Sequence, residues 1–428
     1  MKQVGLLVAA IVAAAPASAD VRAEVDSIYP HMQALYRDLH EHPELSTREI
    51  ETAAKLVAQL RALGFEVTTG VAGTGFVGVL KNGKGPTVAL RTELDGLPVT
   101  EATGLPFASK VRTKDASGAD VGVMHACGHD AHMAAWIGTA TLMARTKSRW
   151  RGTLVLVGQP AEEVGVGGKA MMAEGLLTRF PRPDFAIAVH DDARRPAGEI
   201  GILAGPLLTN ADSLDMTVYG RGGHGARPEA TVDPVLIASR IVVTLQSVVA
   251  REMSPLDPAV ITVGSIHGGT KYNIIPDDVK LQLTVRSFTE PVRMKLLAAI
   301  ERIAKAEAEA AGAPRAPTIT RTIVAQALVN DPALTARVQK ALLRELGPDQ
   351  VVEAQREMIS EDFTEFSLGG VPSLMLRIGA VPKAQFDAAM KADQPLPSLH
   401  SSSFAPDAEP TIKGAIAAEL LSLRELLR

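Results

Sequence analysis

Thr-Leu-Val-Leu-Val-Gly-Gln-Pro-Ala-Glu-Glu, residues 153–163, decides how this chain is to be read. Thr153 to Gly158 is a short apolar run, closed by glycine and proline, which is the pattern of a strand buried on both faces. It empties into a polar loop that holds two adjacent carboxylates, Glu162 and Glu163. In open α/β sheets the loops at the carboxyl ends of strands line the ligand crevice. One stretch therefore predicts a sheet layer and a place for chemistry.

Similar runs stand on either side: Gly75 to Leu80, Thr87 to Arg91 and Phe185 to His190. Helical patterns fill the gaps, at 47–63 with Thr47 near its start and Gly64 closing it, at Ala131 to Ala144, and at Gly167 to Leu177. Alternation of this kind predicts an α/β layered domain with a mainly parallel sheet. Near residue 206 the grammar changes. Strand patterns at 212–219, 258–267, 278–286 and 316–323 surround helices at 232–252 and 291–311. That order, βαββαβ, is the ferredoxin-like unit. After residue 324 the α/β pattern resumes and ends in a helix from Pro410. The expected organisation is a larger domain in two pieces, 20–205 and 324–428, with a smaller one, 206–323, inserted.

The 428 residues carry a net charge of −4, with 46% hydrophobic and 21% charged side chains. This is the composition of a chain with full cores, and no basic run points to nucleic acid. At the N-terminus, Lys2, the apolar run Gly5 to Ala15 and the small residues Ala17-Ser18-Ala19 form a signal peptide, residues 1–19, cut after Ala19. The run is too short to span a membrane comfortably. A periplasmic or secreted protein is expected. The chain's one cysteine excludes an intramolecular disulfide, so an exported thiol needs another use, and metal ligation would supply one.

That cysteine lies in Met124-His-Ala-Cys-Gly-His-Asp-Ala-His132, with three of the ten histidines. Cys127 and His129 can face one cavity, with Gly128 permitting the tight turn between them and Asp130 or His132 orienting a ligand ring. Of the two carboxylates at 162 and 163, one can bind metal while the other remains a free base. His190 ends a hydrophobic strand before Asp191-Asp192. His400 lies in Ser398-Leu-His-Ser-Ser402 near the last helix. In the inserted unit, Gly222-Gly-His224-Gly225 exposes an imidazole, and Asn273-Ile-Ile-Pro276 could offer an amide to a substrate carboxylate.

Arg91-Thr-Glu-Leu-Asp-Gly-Leu-Pro98, His125-Ala-Cys-Gly-His-Asp130, Gln159-Pro-Ala-Glu-Glu163, His190, Gly222-Gly-His-Gly225, Asn273-Ile-Ile-Pro276, Glu361-Asp-Phe363 and Leu399-His-Ser401 occur in this order over residues 31 to 428. Together they resemble the metallopeptidase family of aminoacylases and hippurate hydrolases, in the branch of hippurate hydrolase and the plant indole-acetyl-amino-acid hydrolases. The resemblance implies two divalent metal ions, zinc or manganese, on Cys127, His129, Glu163, His190 and His400. It implies Glu162 as general base and acid, and His224 as the group that stabilises the oxyanion, reaching across from a partner subunit. It further implies Asn273 at the substrate carboxylate and the inserted domain as lid and homodimer interface. Glu93 departs from the usual aspartate, Ser360 from the usual glycine, and Asp191-Asp192-Ala-Arg-Arg195 from a less charged stretch. These leave substrate preference open.

The implied reaction is hydrolysis of the amide bond of N-acyl amino acids, hippurate-like or N-acetylated, by an amidohydrolase. A dipeptidase or carboxypeptidase of the same family is the alternative. A hydrolase using Cys127 as nucleophile would survive metal stripping and die on alkylation. A binding protein without catalysis on the same scaffold would turn over no N-acyl amino acid.

Overall fold

The computed structural model describes residues 21–428. The expected signal peptide, residues 1–19, lies outside them. An eight-stranded sheet forms the frame, in the spatial order Glu66–Val71, Gly75–Asn82, Gly152–Gln159, Thr87–Glu93, Phe185–Pro196, Ser373–Val381, Ile200–Ile202, Val351–Glu353. Its four central strands, Gly152–Gln159 through Ser373–Val381, run parallel. Their Val, Leu and Ile side chains are buried on both faces, as continuous apolar runs require. Antiparallel pairing in this sheet is confined to the two pairs made by Gly75–Asn82, with Glu66–Val71 and with Gly152–Gln159, and to the pairing of Ile200–Ile202 with Ser373–Val381.

On one face pack Val21–Glu41, His129–Arg145, Pro332–Leu346 and Ala408–Leu426. His129–Arg145 is buried along almost its whole length, so it has no polar face and sits at the centre of that layer. The opposite face is covered by Met171, Leu176, Phe363, Phe366 and their neighbours.

The strand order of the second sheet is Ala259–Gly268, Asp278–Ser287, Asn210–Tyr219, Thr318–Ala325, all antiparallel. This is the ferredoxin-like arrangement that the βαββαβ order implies. Asp278–Ser287 alternates strictly, sending Val279, Leu281, Leu283 and Val285 inward. Helices Pro234–Ser247 and Glu290–Ala310 close that core. The first is capped by the Asp233 carboxylate, which accepts from the amides of Val235 and Leu236. Residues 234–252 are long and apolar enough to cross a membrane, but Ile237, Ala238, Ile241, Leu245 and Val248 are core residues of this layer.

Several local expectations shift. The helix expected from residue 47 begins at Ile50, because Thr47 has φ of 70° and its amide is taken by the Glu49 side chain in a turn. The helix expected to reach Leu177 stops at Ala173, before Gly175 at φ of 88°. The strand ending at His190 continues to Pro196, since Ser373–Val381 pairs with it that far. Val21–Glu41 and Lys383–Ala392 are helices that the sequence reading had not delimited.

Candidate active site

The carboxyl edge of the parallel strands collects six of the expected side chains. Cys127 and His129 flank Gly128, whose φ of 76° opens the helix His129–Arg145. A Cβ at Gly128 would stand 2.1 Å from Asp191 Oδ2, so only glycine allows this turn to lie against the Phe185–Pro196 strand. His129 Nδ1 donates to the Asp95 carbonyl at 2.8 Å, which leaves Nε2 facing Glu162 at 4.0 Å and Glu163 at 3.9 Å. His190 Nδ1 donates to the Asp191 carbonyl at 2.9 Å, and its Nε2 lies 3.5 Å from Cys127 Sγ. His400 arrives from the other end of the sequence with φ of 65°. Its amide donates to the Ala126 carbonyl at 2.8 Å, and its Nε2 lies 3.3 Å from Glu163 Oε2.

Donor atoms of Cys127, His129 and His190 lie within 4.8 Å of one another, as do those of Cys127, Glu163 and His400, and those of His129, Glu162 and Glu163. The groups overlap at Cys127, His129 and Glu163, which suits more than one cation. His129 Nε2 and Glu163 Oε1 are buried without a hydrogen-bond partner among the described residues. An unsatisfied buried polar atom costs about 1–3 kcal/mol, a cost that coordination removes. Thiolate, imidazole and carboxylate together form a donor set for divalent transition metals.

The electrostatics agree. Burial disfavours a charged His129, yet its contact with Asp95 and the charges of Glu93 and Glu163 hold its pKa up to about 10. Burial lifts Glu163 to about 7, with His129 opposing, and burial together with Glu163, Glu162 and Glu93 lifts the Cys127 thiol. Such a cage asks for positive charge at its centre. Burial, then the charges of Glu361, Glu163 and Asp362, push the Glu162 carboxyl well above the usual range, with Arg91 opposing.

A second group of side chains holds this one in shape. Buried Arg91 binds Glu93, Gln159 (2.9 Å), Glu361 (2.7 Å) and Asp362 (2.8 Å). Asp95 Oδ2 accepts from the Glu163 amide at 3.0 Å and from Ser46 Oγ at 2.6 Å. Glu49 Oε1 accepts from the Ala161 amide at 2.8 Å. Glu93, longer than the usual aspartate, reaches His132 Nδ1 at 3.2 Å as well as Arg91, and His132 Nε2 accepts from the Asp191 amide. Asp130 corrects an expectation: it orients no ligand ring. Its carboxylate takes His40 Nδ1 at 2.6 Å, and His40 is held up to about 10 by Asp130 and Glu101 against the opposing effect of burial. His125 is buried, and neither ring nitrogen has a hydrogen-bond partner among the described residues.

His224 and Asn273 are brought together, but elsewhere. Gly223 and His224 pair with Ile275 and Ile274 in a two-stranded ribbon, and the Gly225 amide donates to the Asn273 carbonyl at 2.9 Å. Both residues are exposed. The Ala226 amide donates to His224 Nδ1 at 3.0 Å, which places the ring proton on Nε2. Among the described residues no hydrogen bond or ion pair joins His224 or Asn273 to the Cys127–His400 cluster.

The sequence reading assigned no role to Glu49, Arg91, Asp95, Gln159 or Asp362. One signal was present: a buried strand of Val, Ala and Leu that ends in Arg91 and Glu93 must bring partners for both charges.

The family model described as peptidase family M20/M25/M40 matches residues 89–394. Thermostable carboxypeptidase 2 of Saccharolobus solfataricus is 35% identical over 94% of this chain and 97% of its own length. N-acetyl-L-cysteine deacetylase of Bacillus subtilis is 36% identical over 77% of this chain and 76% of its own. Among solved structures, the Bacillus subtilis YXEP protein, described as a dinuclear metal binding peptidase from the M20 family, superposes with a TM-score of 0.75. It is 29% identical and the match covers 93% of this chain and 98% of that one.

Proposed function

Because this chain belongs to peptidase family M20/M25/M40 and is a metal-dependent hydrolase of amide bonds, we propose that its substrates are N-acyl amino acids, cleaved to an acyl acid and a free amino acid. The observation that carries the reading is the unpaired use of the two adjacent carboxylates. Both face His129, but Glu163 also lies with His400 and Cys127, while Glu162 lies with Glu361 and Asp362 on the side of the Arg91 cluster. Cys127, His129, Glu163, His190 and His400 would hold two divalent ions, zinc or manganese. Bound cations supply the positive charge that acidifies water and polarises the scissile carbonyl. Glu162 takes the proton of the attacking water and delivers it to the leaving amine. The bare Nε2–H of His224 donates to the developing oxyanion, and the Asn273 amide meets the substrate carboxylate.

Among the described residues no hydrogen bond or ion pair ties His224 or Asn273 to the cluster of their own chain, which leaves them free to act on a partner's site. The inserted sheet supports this. Among the described residues Ala259–Gly268 pairs on one side only, with Asp278–Ser287, and its other edge is open. Ile266 on this strand and Val235, Leu236 and Val243 on helix Pro234–Ser247 are exposed. An open edge flanked by apolar side chains suits a second copy of the chain, so a homodimer joined through residues 206–323 is proposed. Residues 1–19, with Lys2, an apolar stretch and Ala17-Ser-Ala19, are proposed as an export signal that delivers the mature chain to the periplasm or beyond.

A metal-reconstituted screen over hippurate, N-acetyl amino acids and dipeptides tests the substrate class. Turnover concentrated on N-acyl amino acids supports it. Turnover of dipeptides alone would replace it with the peptidase reading, which the carboxypeptidase relative favours.

A further inference from the structure

Eight residues, Pro160 to Gly167, separate the strand end Gln159 from Gly168 and carry both Glu162 and Glu163. A loop that presents a base and a ligand in adjacent positions must keep its two ends fixed. Here the ends meet. A Cβ added to Gly167 would stand 1.6 Å from the Pro160 carbonyl oxygen, so the backbone closes on itself with no room for a larger residue. At the closure sits one carboxylate. Asp362 Oδ1 accepts from Gln159 Nε2 at 2.6 Å, and Asp362 Oδ2 accepts from the Gly168 amide at 2.8 Å. Arg91 locks the pair from behind: its Nη2 donates to Asp362 Oδ1 at 2.8 Å and its Nε to Gln159 Oε1 at 2.9 Å. Asp362 and Gln159 are buried, so each of these bonds lies away from water.

We propose that Asp362 is a positioning residue for the reaction, which fixes the base-bearing loop by clamping its two ends together. The proposal rests on Glu162 being the base. The clamp leaves the tip of the loop to other anchors, the Glu49 contact to the Ala161 amide and the Asp95 contact to the Glu163 amide. Of these, Asp95 also contacts His129, so the ligand side of the loop has a support independent of Asp362. Loosening the clamp leaves the backbone beside Glu162 held only by the Glu49 and Asp95 contacts and lets the Glu162 side chain shift, while the ligand side keeps its Asp95 support. Displacement of a reacting group by about 1 Å can cost on the order of 100-fold in rate.

Asparagine at 362 keeps the volume but replaces one acceptor with an NH2, which then faces either the Gly168 amide or the donors of Gln159 and Arg91. Asp362→Asn thus opens one end of the clamp. On the metal-loaded full chain, with an N-acyl amino acid as substrate, we expect kcat to fall about 10- to 100-fold while KM changes less than about twofold and bound metal per chain is unchanged. Gln159→Leu alone, which cuts only the first end, should lower kcat several-fold. The double variant should be no worse than Asp362→Asn, since a clamp already open at one end no longer holds the two ends together. A kcat for Asp362→Asn within twofold of the parent overturns the proposal, as does a loss that only tracks folded or metal-loaded protein, or losses that multiply in the double variant. Should Asp362→Asn fail to fold, Gln159→Leu decides alone: unchanged kcat overturns the clamp. Glu162→Gln run alongside separates the two claims. If it retains turnover, the base assignment has failed; if it is inactive, the Asp362 and Gln159 results judge the clamp itself.

Discussion

Glu419→Gln should make the protein's stability less dependent on pH. Glu419 lies in helix Ala408–Leu426 with no exposed surface. Its Oε2 accepts from Thr139 Oγ1 at 2.6 Å, and its Oε1 has no partner among the described residues. Burial raises its pKa from 4.5 to about 8, with Thr139 opposing. The folded chain therefore keeps a proton that the unfolded chain releases above about pH 4.5. Stability is undiminished below that pH and falls as pH rises toward 8. A shift of one unit is about 1.36 kcal/mol, so the full shift is on the order of 5 kcal/mol, most of it lost between pH 5 and pH 8. Glutamine preserves the volume and the Thr139 contact but does not ionise. Thermal melts of both metal-saturated proteins from pH 5 to pH 8 make the comparison, because the pH dependence of the metal site is common to both and cancels. The variant should gain on the parent steadily as pH rises. Parallel melting curves, with a constant difference across the range, would refute the reasoning.

Three further outcomes follow from the site. Cys127→Ser should lower the metal content measured by elemental analysis of purified protein, and an unchanged ratio would remove Cys127 from the ligands. Gly128→Ala, which costs roughly 1–2 kcal/mol for left-handed backbone and drives a Cβ toward Asp191 Oδ2, should lower both the melting temperature and the bound metal, whereas parental values of both would contradict the packing argument. Mixing inactive Glu162→Gln chains with inactive His224→Ala chains should recover part of the activity if His224 serves the partner's site, and no recovery would confine it to its own chain.

The central sheet and the order βαββαβ of the inserted unit were legible because both rest on periodicity, which burial enforces residue by residue. The buried runs at 153–158 and 185–190 needed no knowledge of their neighbours. Boundaries depended on partners instead. The strand from Phe185 continues past His190 because Ser373–Val381, far along the chain, pairs with it. That motifs at strand ends and loops converge on one sheet edge was legible in the sequence, but the set Cys127, His129, Glu163, His190 and His400 was expected from the family resemblance alone. The Arg91 cluster was not. The buried strand ending in Arg91 signals that the guanidinium needs partners, but which ones, Gln159, Glu361 and Asp362, emerges only once two distant loops meet over it. Asp130 misled for the same reason: beside His129 in sequence, it turns away to His40, which belongs to the first helix.

In the proposed mechanism Glu162 moves the proton while Glu163 and its companions hold metal. Metal content and turnover of an N-acyl amino acid, measured together on Glu162→Gln, test it most directly. The account predicts the parent's metal-to-protein ratio and a kcat lower by about 10² to 10⁴-fold. Near-parental turnover with the metal retained would contradict it.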